Sequence, residues 1–175
     1  MVNEIELKPI GFVRNRAKRS PGRQAGAGAD WRTRVTSMKE QRGDVSEIVF
    51  DAGLEEALEG LEEFSHLVIL YWPHLLPPES RNVRQVHPMG NADFPLVGVF
   101  ATQSPARPNP VLTTTVHLLE RRGNVLRVSG LDALDGSPVL DVKPHAPGRD
   151  DIEGLRVPEW MRQIRTVLGE PPQEQ

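Results

Sequence analysis

The segment Leu112-Thr-Thr-Thr-Val-His-Leu-Leu-Glu-Arg-Arg-Gly-Asn-Val-Leu-Arg-Val128 predicts a β-hairpin. Its first half is rich in threonine and other β-prone residues, and Arg121 to Asn124 supplies a turn that contains Gly123. Val125 then begins the returning strand. Because a short turn can join only antiparallel neighbours, this segment favours an antiparallel sheet.

Further strands are predicted on both sides of the hairpin. His66 to Trp72 is continuously apolar and rich in β-branched and aromatic residues, which suits a strand buried on both faces and ended by Pro73. The turn at Asp135 and Gly136 leads into another strand. The remaining candidate strands are Ile5 to Val13, Glu47 to Phe50, Leu96 to Ala101 and Val139 to Val142.

Two segments have helical periodicity. Apolar residues between Leu54 and Leu61 recur at helical spacing and predict a short amphipathic helix. Pro158 stands where a first helical residue could be, ahead of an apolar stripe formed by Trp160, Ile164, Val167 and Leu168. Six or seven short strands with these two helices predict a mainly β, antiparallel domain, either a barrel or a sandwich. A Rossmann-type site is disfavoured because βαβ alternation and a Gly-x-Gly-x-x-Gly motif are both missing.

Length and composition limit the class of protein. The 175 residues include 24 acidic and 21 basic side chains, which gives a net charge of −3 and no overall basic excess. Without cysteine the chain has neither a disulfide framework nor a thiolate nucleophile. The longest apolar run, Leu67 to Trp72, is too short to cross a membrane. We therefore expect one cytoplasmic domain over residues 1–170, with a disordered tail at 171–175.

Positive charge is concentrated near the N terminus. Nine basic residues between Arg14 and Arg42 face only two acidic ones, a local charge of +7. Glycine and proline accompany them, which predicts a flexible basic loop at about 15–43. Two interpretations stay open: an ordinary solvated loop, or an arm whose arginines, Arg32 and Arg34 among them, bind phosphates.

Two polar segments have the composition of a binding site. Gly98-Val-Phe-Ala-Thr-Gln-Ser-Pro-Ala-Arg-Pro-Asn-Pro-Val111 runs from a strand into three prolines, and the rigid loop would present Ser104, Arg107 and Asn109. The second segment, 129–145, contains Asp132, Asp135, Asp141 and Lys143 around a tight turn, the last two on one face of a strand.

These segments resemble the TrmO, or TsaA-like, family of methyltransferases. The matching stretches are Ile10-Gly-Phe-Val-Arg14, Gly60-Leu-Glu-Glu-Phe-Ser-His66, Gly98-Val-Phe-Ala-Thr102 with Ser104-Pro-Ala-Arg-Pro-Asn-Pro-Val111, and Leu134-Asp-Gly-Ser-Pro138 with Asp141-Val-Lys-Pro144. The resemblance implies a single antiparallel β-barrel that binds S-adenosylmethionine, usually as a homodimer. The better-studied bacterial members methylate N6 of the threonylcarbamoyladenosine beside the anticodon of certain tRNAs.

The resemblance also implies roles for individual residues. Arg107 corresponds to the family's cofactor-contacting arginine, with Asn109 beside it, and His74 to a third segment on the cofactor side. The cofactor-holding turn corresponds to Leu134, Asp135, Gly136 and Ser137. Asp135, Asp141 and His74 are the alternatives for a base that takes the substrate proton, and Arg32, Arg34 and Lys143 are the expected substrate-binding residues.

The chain also departs from the family pattern. Gln103 stands where an arginine is usual, Val111 is followed by Leu112 and two threonines, and Pro21-Gly-Arg-Gln24 only loosely matches a bacterial Pro-Arg-Gln element. We also expect the extra C-terminal domain of the bacterial enzymes to be missing. Cofactor binding is therefore better supported than the tRNA substrate, and a methyltransferase acting on a small molecule stays open.

Other classes of protein fit less well. A zinc hydrolase would need His66 and His74 on one strand face, which Pro73 disfavours, so no metal site is predicted. Ser104 is outside a Gly-x-Ser-x-Gly elbow, which argues against a serine hydrolase. The non-enzymatic alternative is a small β-barrel that binds RNA or a partner, but the nine aromatic residues form no stacking series.

Overall fold

Eight β-strands form two sheets in the computed structural model, which describes residues 5–16, 31–32, 35–36, 44–145 and 158–169. The strands are β1 Gly11–Arg14, β2 Val45–Phe50, β3 His66–Tyr71, β4 Gln85–Val86, β5 Val97–Gly98, β6 Leu112–Arg122, β7 Val125–Ser129 and β8 Pro138–Pro144. Six of them close into a barrel in the order β1-β2-β7-β6-β3-β8, and β4 pairs with β5 in a separate small sheet. All pairs are antiparallel, which confirms the predicted antiparallel architecture.

The barrel closes where β1 meets β8. Gly11 lies opposite Val139 on one side and opposite Phe50 on the other. A Cβ at Gly11 would lie 2.4 Å from the Val49 carbonyl oxygen and 2.8 Å from the Phe50 Cα. Only glycine fits at position 11, because any larger side chain would collide with the backbone of β2.

Every second side chain along the strands points into the barrel and fills its interior. On β3, Leu67, Ile69 and Tyr71 are buried, whereas Val68 and Leu70 are only partly buried. The prediction that this strand is buried on both faces is therefore wrong, since one face packs inward. The other fully buried barrel side chains are Val13, Ser46, Ile48, Val116, Leu126, Val128 and Val139.

Three predicted elements take a different form. The segment expected to be a helix from Leu54 to Leu61 consists of separate 3-10 turns at Ala52–Leu54, Glu56–Leu58 and Leu61–Glu63. Gly60 at φ 84° interrupts it, although Leu58 and Leu61 are buried as the pattern predicted. The predicted strand from Leu96 to Ala101 is limited to β5 and a 3-10 turn at Val99–Ala101. The first strand begins at Gly11 and not at Ile5.

A second core lies outside the barrel, against the C-terminal helix. Helix α1, Glu159–Leu168, follows Pro158 and ends at Gly169 with φ 73°. Trp160 is buried with Trp31, Val35 and Phe94, and the predicted stripe of Ile164, Val167 and Leu168 packs against them. The basic loop is therefore anchored at Trp31 and Val35, while most of it, including Arg34, lies outside the described residues, as does the tail at 171–175. Among the described helices none is long and apolar enough to span a membrane.

Candidate active site

Three of the segments predicted to form the site lie at the same end of the barrel, which we call the barrel mouth. It is the end where β3 finishes at Tyr71, opposite Leu112 of β6 and Val139 of β8. His74 follows β3, the proline-rich loop precedes β6, and the turn Leu134–Ser137 precedes β8. Antiparallel pairing thus brings together segments that lie far apart in the sequence.

The turn before β8 is fixed by main-chain hydrogen bonds. The Ser137 N–H donates to the Leu134 carbonyl at 3.1 Å, and Gly136 donates to the Val13 carbonyl at 2.8 Å. Gly136 has φ 75°, a conformation that favours glycine, and Ser137 is buried. The Asp-Gly-Ser sequence therefore forms a defined turn against β1.

His74 lies against this turn. Its Nδ1 is 3.4 Å from the Ser137 Oγ, and a Cβ at Gly136 would lie 3.7 Å from its Nε2. His74, Gly136 and Ser137, predicted separately from sequence, are thus brought together. An imidazole beside a narrow backbone turn can contact a ligand and can also exchange a proton.

Asp135 joins the turn to the end of β1. This exposed residue accepts the Asn15 N–H at Oδ1 over 2.9 Å. The Asn15 amide donates in turn to the Ser46 Oγ and the Ala133 carbonyl, each at 3.0 Å. Asp135 is therefore positioned by a main-chain contact and keeps an exposed carboxylate.

Asp132 forms a polar cluster with two hydroxyl groups at the mouth. The Tyr71 hydroxyl donates to its Oδ1 at 2.6 Å, and the Thr114 hydroxyl donates to the same oxygen. Sequence reasoning noted Asp132 but gave it no role. Its position between the buried Leu131 and Ala133 was the available signal, because an acid inside an apolar stretch usually needs a specific partner.

Arg107 is held by its own loop. Its Nε donates to the Ser104 carbonyl at 2.7 Å and its Nη2 to the Thr102 carbonyl at 2.5 Å. The carbonyl of Asn109 accepts the Val111 N–H at 2.8 Å. A guanidinium has five N–H donors, so these two bonds leave donors for an anionic ligand group.

Asp141 and Lys143 lie away from the mouth cluster. Asp141 is opposite Leu70, on the strand face that points away from the buried Ile69, and Lys143 is opposite Val68. The Lys143 Nζ is 2.5 Å from the Asp141 Oδ2, so the prediction that they share a face is confirmed. Neither side chain has a hydrogen bond to His74 or to the turn Leu134–Ser137.

Arg32, the described member of the expected phosphate-binding arginines, is exposed at the edge of the second core. Its guanidinium covers the Trp31 ring at 4.7 Å from the centroid. The structure therefore does not bring Arg32 to the mouth cluster. Among the described residues there is also no group of three or more acidic or histidine side chains arranged to hold a metal ion.

A carboxyl group with a lowered pKa lies in the β6–β7 hairpin. The hydrogen bond from Arg122 is the main reason that the pKa of the Glu120 carboxyl is lowered. Desolvation acts in the opposite direction, and a hydrogen bond from Arg127 lowers the pKa further. These side chains lie near the hairpin turn, remote from Leu112 at the mouth. Their charges stabilise the hairpin and do not tune the candidate site.

Comparison with protein families gives one match over most of the chain. The model described as the tRNA-methyltransferase O N-terminal domain matches residues 35–151. A probable S-adenosyl-L-methionine-binding protein of Methanothermobacter thermautotrophicus is 44% identical over 87% of this chain and 96% of its own length. A mouse tRNA (adenine(37)-N6)-methyltransferase is 39% identical over 59% of this chain and 23% of its own.

Solved structures support the same fold. A crystal structure of TrmO superimposes with a TM-score of 0.63 and 28% identity, covering 88% of this chain. The chain spans 63% of that TrmO chain.

Proposed function

This chain belongs to the family of the tRNA-methyltransferase O N-terminal domain, and from that membership we propose that it is an S-adenosylmethionine-dependent methyltransferase acting on tRNA. The finer proposal is N6 methylation of threonylcarbamoyladenosine beside the anticodon, in the cytoplasm. The observation that carries the proposal is the cluster at the barrel mouth, where His74 contacts the Gly136 to Ser137 turn. The names of the relatives support both the cofactor and the class of reaction.

The chemistry of the mouth fits the cofactor. When bound, S-adenosylmethionine supplies a methyl group on a positively charged sulfur. Asp132 and Asp135 offer negative charge for that sulfur, for an ammonium group or for ribose hydroxyls. Arg107, beside Asn109, would hold the carboxylate, and the turn Leu134–Ser137 with His74 would enclose the remainder.

The residues of the chain also account for the proton. Forming the nitrogen–methyl bond while the sulfur–methyl bond breaks releases one proton from the acceptor nitrogen. We assign this proton to His74, because its imidazole stands at the mouth and Asp141 is held by Lys143. Asp135 is the alternative acceptor, since it is exposed beside the same turn.

The outer apolar surface near the mouth supports a homodimer. A groove of about 310 Å³ is lined by Ile5, Leu7, Pro9, Trp72, Pro138 and Leu140. Ile5 and Leu7 are 79% and 54% exposed, so a second copy of this chain would remove apolar surface from water. Light scattering should then report a dimeric mass, and Leu7→Asp should shift it toward the monomer; a monomeric parent protein would contradict this.

The decisive test of the function uses labelled cofactor. Incubating the protein with methyl-labelled S-adenosylmethionine and either total tRNA or a metabolite extract should place the label in tRNA. Digestion to nucleosides should then identify methylated threonylcarbamoyladenosine. Label in the metabolite fraction alone would overturn the tRNA substrate, and cofactor binding without transfer to either fraction would favour a non-catalytic barrel.

A further inference from the structure

A cavity lies beside the second core and shares no lining residue with the mouth cluster. Its volume is about 670 Å³, within the usual range for small-molecule sites. Trp31, Phe94 and Trp160 form its aromatic walls, and Asn91 and Gln163 contribute amide groups. The cavity thus combines an aromatic wall with side-chain amides that can both donate and accept hydrogen bonds.

The rings are fixed in place. Trp31 and Phe94 have centroids 5.2 Å apart at an angle of 57°, and each of the three aromatic residues is less than one tenth exposed. A ring held by a core keeps one orientation, so the small part of it that faces the cavity is presented at little entropic cost. A planar base can pack against such an aromatic wall without regard to its identity.

Arg32 supplies positive charge to the cavity lining next to Trp31. Arg32 lies over Trp31 and is exposed, and it belongs to the stretch whose local charge is +7. Of the two acids in the lining, Glu159 is paired with Arg162 at 2.9 Å. Asp93, the other, is exposed and suits a ribose hydroxyl.

We propose that this cavity binds a nucleotide of the RNA substrate, with the base on the aromatic wall and its phosphate at Arg32. Asn91 and Gln163 would bond the base edge, since side-chain amides can pair with a donor and an acceptor together. The inference rests on the proposed tRNA substrate. It adds a second contact site for that RNA, separate from the mouth where the methyl group is transferred.

Fluorescence provides a direct test. Trp72→Phe removes the tryptophan outside the cavity and leaves Trp31 and Trp160 as reporters. We expect adenosine monophosphate and a single-stranded hexanucleotide RNA both to quench this signal, with the RNA binding more tightly. S-adenosylmethionine should not displace the monophosphate; if it does, the cavity is the cofactor site and the inference is wrong.

Matched arginine variants test the phosphate contact. Arg32→Gln should weaken both probes about tenfold or more, because a charge-assisted bond is lost. Arg81→Gln is the control, because Arg81 is exposed, as Arg32 is, and does not line the cavity. Equal effects of the two variants, or no quenching by either probe in folded protein, would overturn the inference. Tighter binding of the monophosphate than of the RNA would overturn the RNA assignment.

Methyl transfer separates this inference from the proposed function. Gln163→Ala and Arg32→Gln should raise the KM for tRNA about tenfold while kcat stays within about twofold, because the cavity is separate from the transfer site. If tRNA is methylated and the KM is unchanged in both variants, the cavity does not bind the RNA, and the proposed function still holds. If tRNA accepts no methyl group, the proposed function is wrong. The fluorescence quenching by nucleotides then tests separately whether the cavity binds a nucleotide.

Discussion

Asp132 is the residue at which the structure adds most to the sequence. Tyr71 and Thr114 both donate to one of its oxygens, so a carboxylate is held at the barrel mouth by two hydroxyl groups. We expect Asp132→Asn to reduce kcat/KM by roughly 10- to 100-fold, because the negative charge that we propose for the cofactor sulfur is lost. The shape of the side chain is retained, so the melting temperature should change little.

Steady-state kinetics and thermal denaturation would check this expectation. Asp51→Asn is the matched control, since Asp51 is exposed and makes no side-chain capping bond. Activity that falls equally in both variants would contradict a specific role for Asp132.

Arg107 allows a second prediction at the residue scale. Because its guanidinium bonds two carbonyls of its own loop, the side chain both shapes the loop and is available to an anion. Arg107→Ala should weaken S-adenosylmethionine binding about 10- to 150-fold, which corresponds to a charge-assisted contact of roughly 1.5–3 kcal/mol. Arg107→Lys should recover only part of the affinity, because one ammonium cannot replace the planar fork.

Calorimetry measures both affinities directly. Binding by Arg107→Ala equal to that of the parent protein would show that the residue serves the loop alone.

At the scale of elements, the position of Gly11 is a sensitive point of the barrel. A methyl group there meets backbone atoms of Val49 and Phe50, which cannot move without separating β1 from β2. We expect Gly11→Ala to destabilise the fold by about 1–3 kcal/mol, as overpacking does, and to lower the melting temperature by several degrees. Gly53→Ala is the control, because nothing lies within 4 Å of a Cβ there. Similar losses in both variants would contradict the steric explanation.

The elements also show what the sequence could and could not predict. Runs of β-branched, threonine and other β-prone residues located β2, β3 and the β6–β7 hairpin, because such side chains favour strands. The helix expected before β3 was wrong because periodicity reports which side is buried and not how long a helical turn continues. The turn at Glu56–Leu58 ends at an extended Glu59, and the left-handed Gly60 separates it from the turn at Leu61–Glu63.

The candidate site was predictable only in part, for a related reason. The family resemblance selected His74 and the turn at Gly136 and Ser137, which do meet. The partnership of Asp132 with Thr114 depends on which strand neighbours which in the closed barrel. That order is a property of the tertiary structure, so local sequence patterns do not contain it.

For the whole molecule, the presence of two cores predicts two levels of stability. Trp160 is buried with Trp31, Val35 and Phe94 in a cluster separate from the barrel core. Trp160→Ala should remove about 3–5 kcal/mol from that cluster and release helix α1, while the barrel stays folded. Hydrogen exchange would show faster exchange in Glu159–Leu168 and unchanged protection in β3. Loss of protection in both would mean that the two cores unfold together.

The seam between β1 and β8 dictates when this protein can finish folding. Gly11 and Val139 are partners although most of the chain separates them, so during synthesis β1 must wait until β8 has left the ribosome. Before that moment the nascent chain is an open sheet with two unsatisfied edges. A translation product that ends before β8 would therefore expose unpaired strand edges that can pair with other chains, and it would not form a smaller closed barrel.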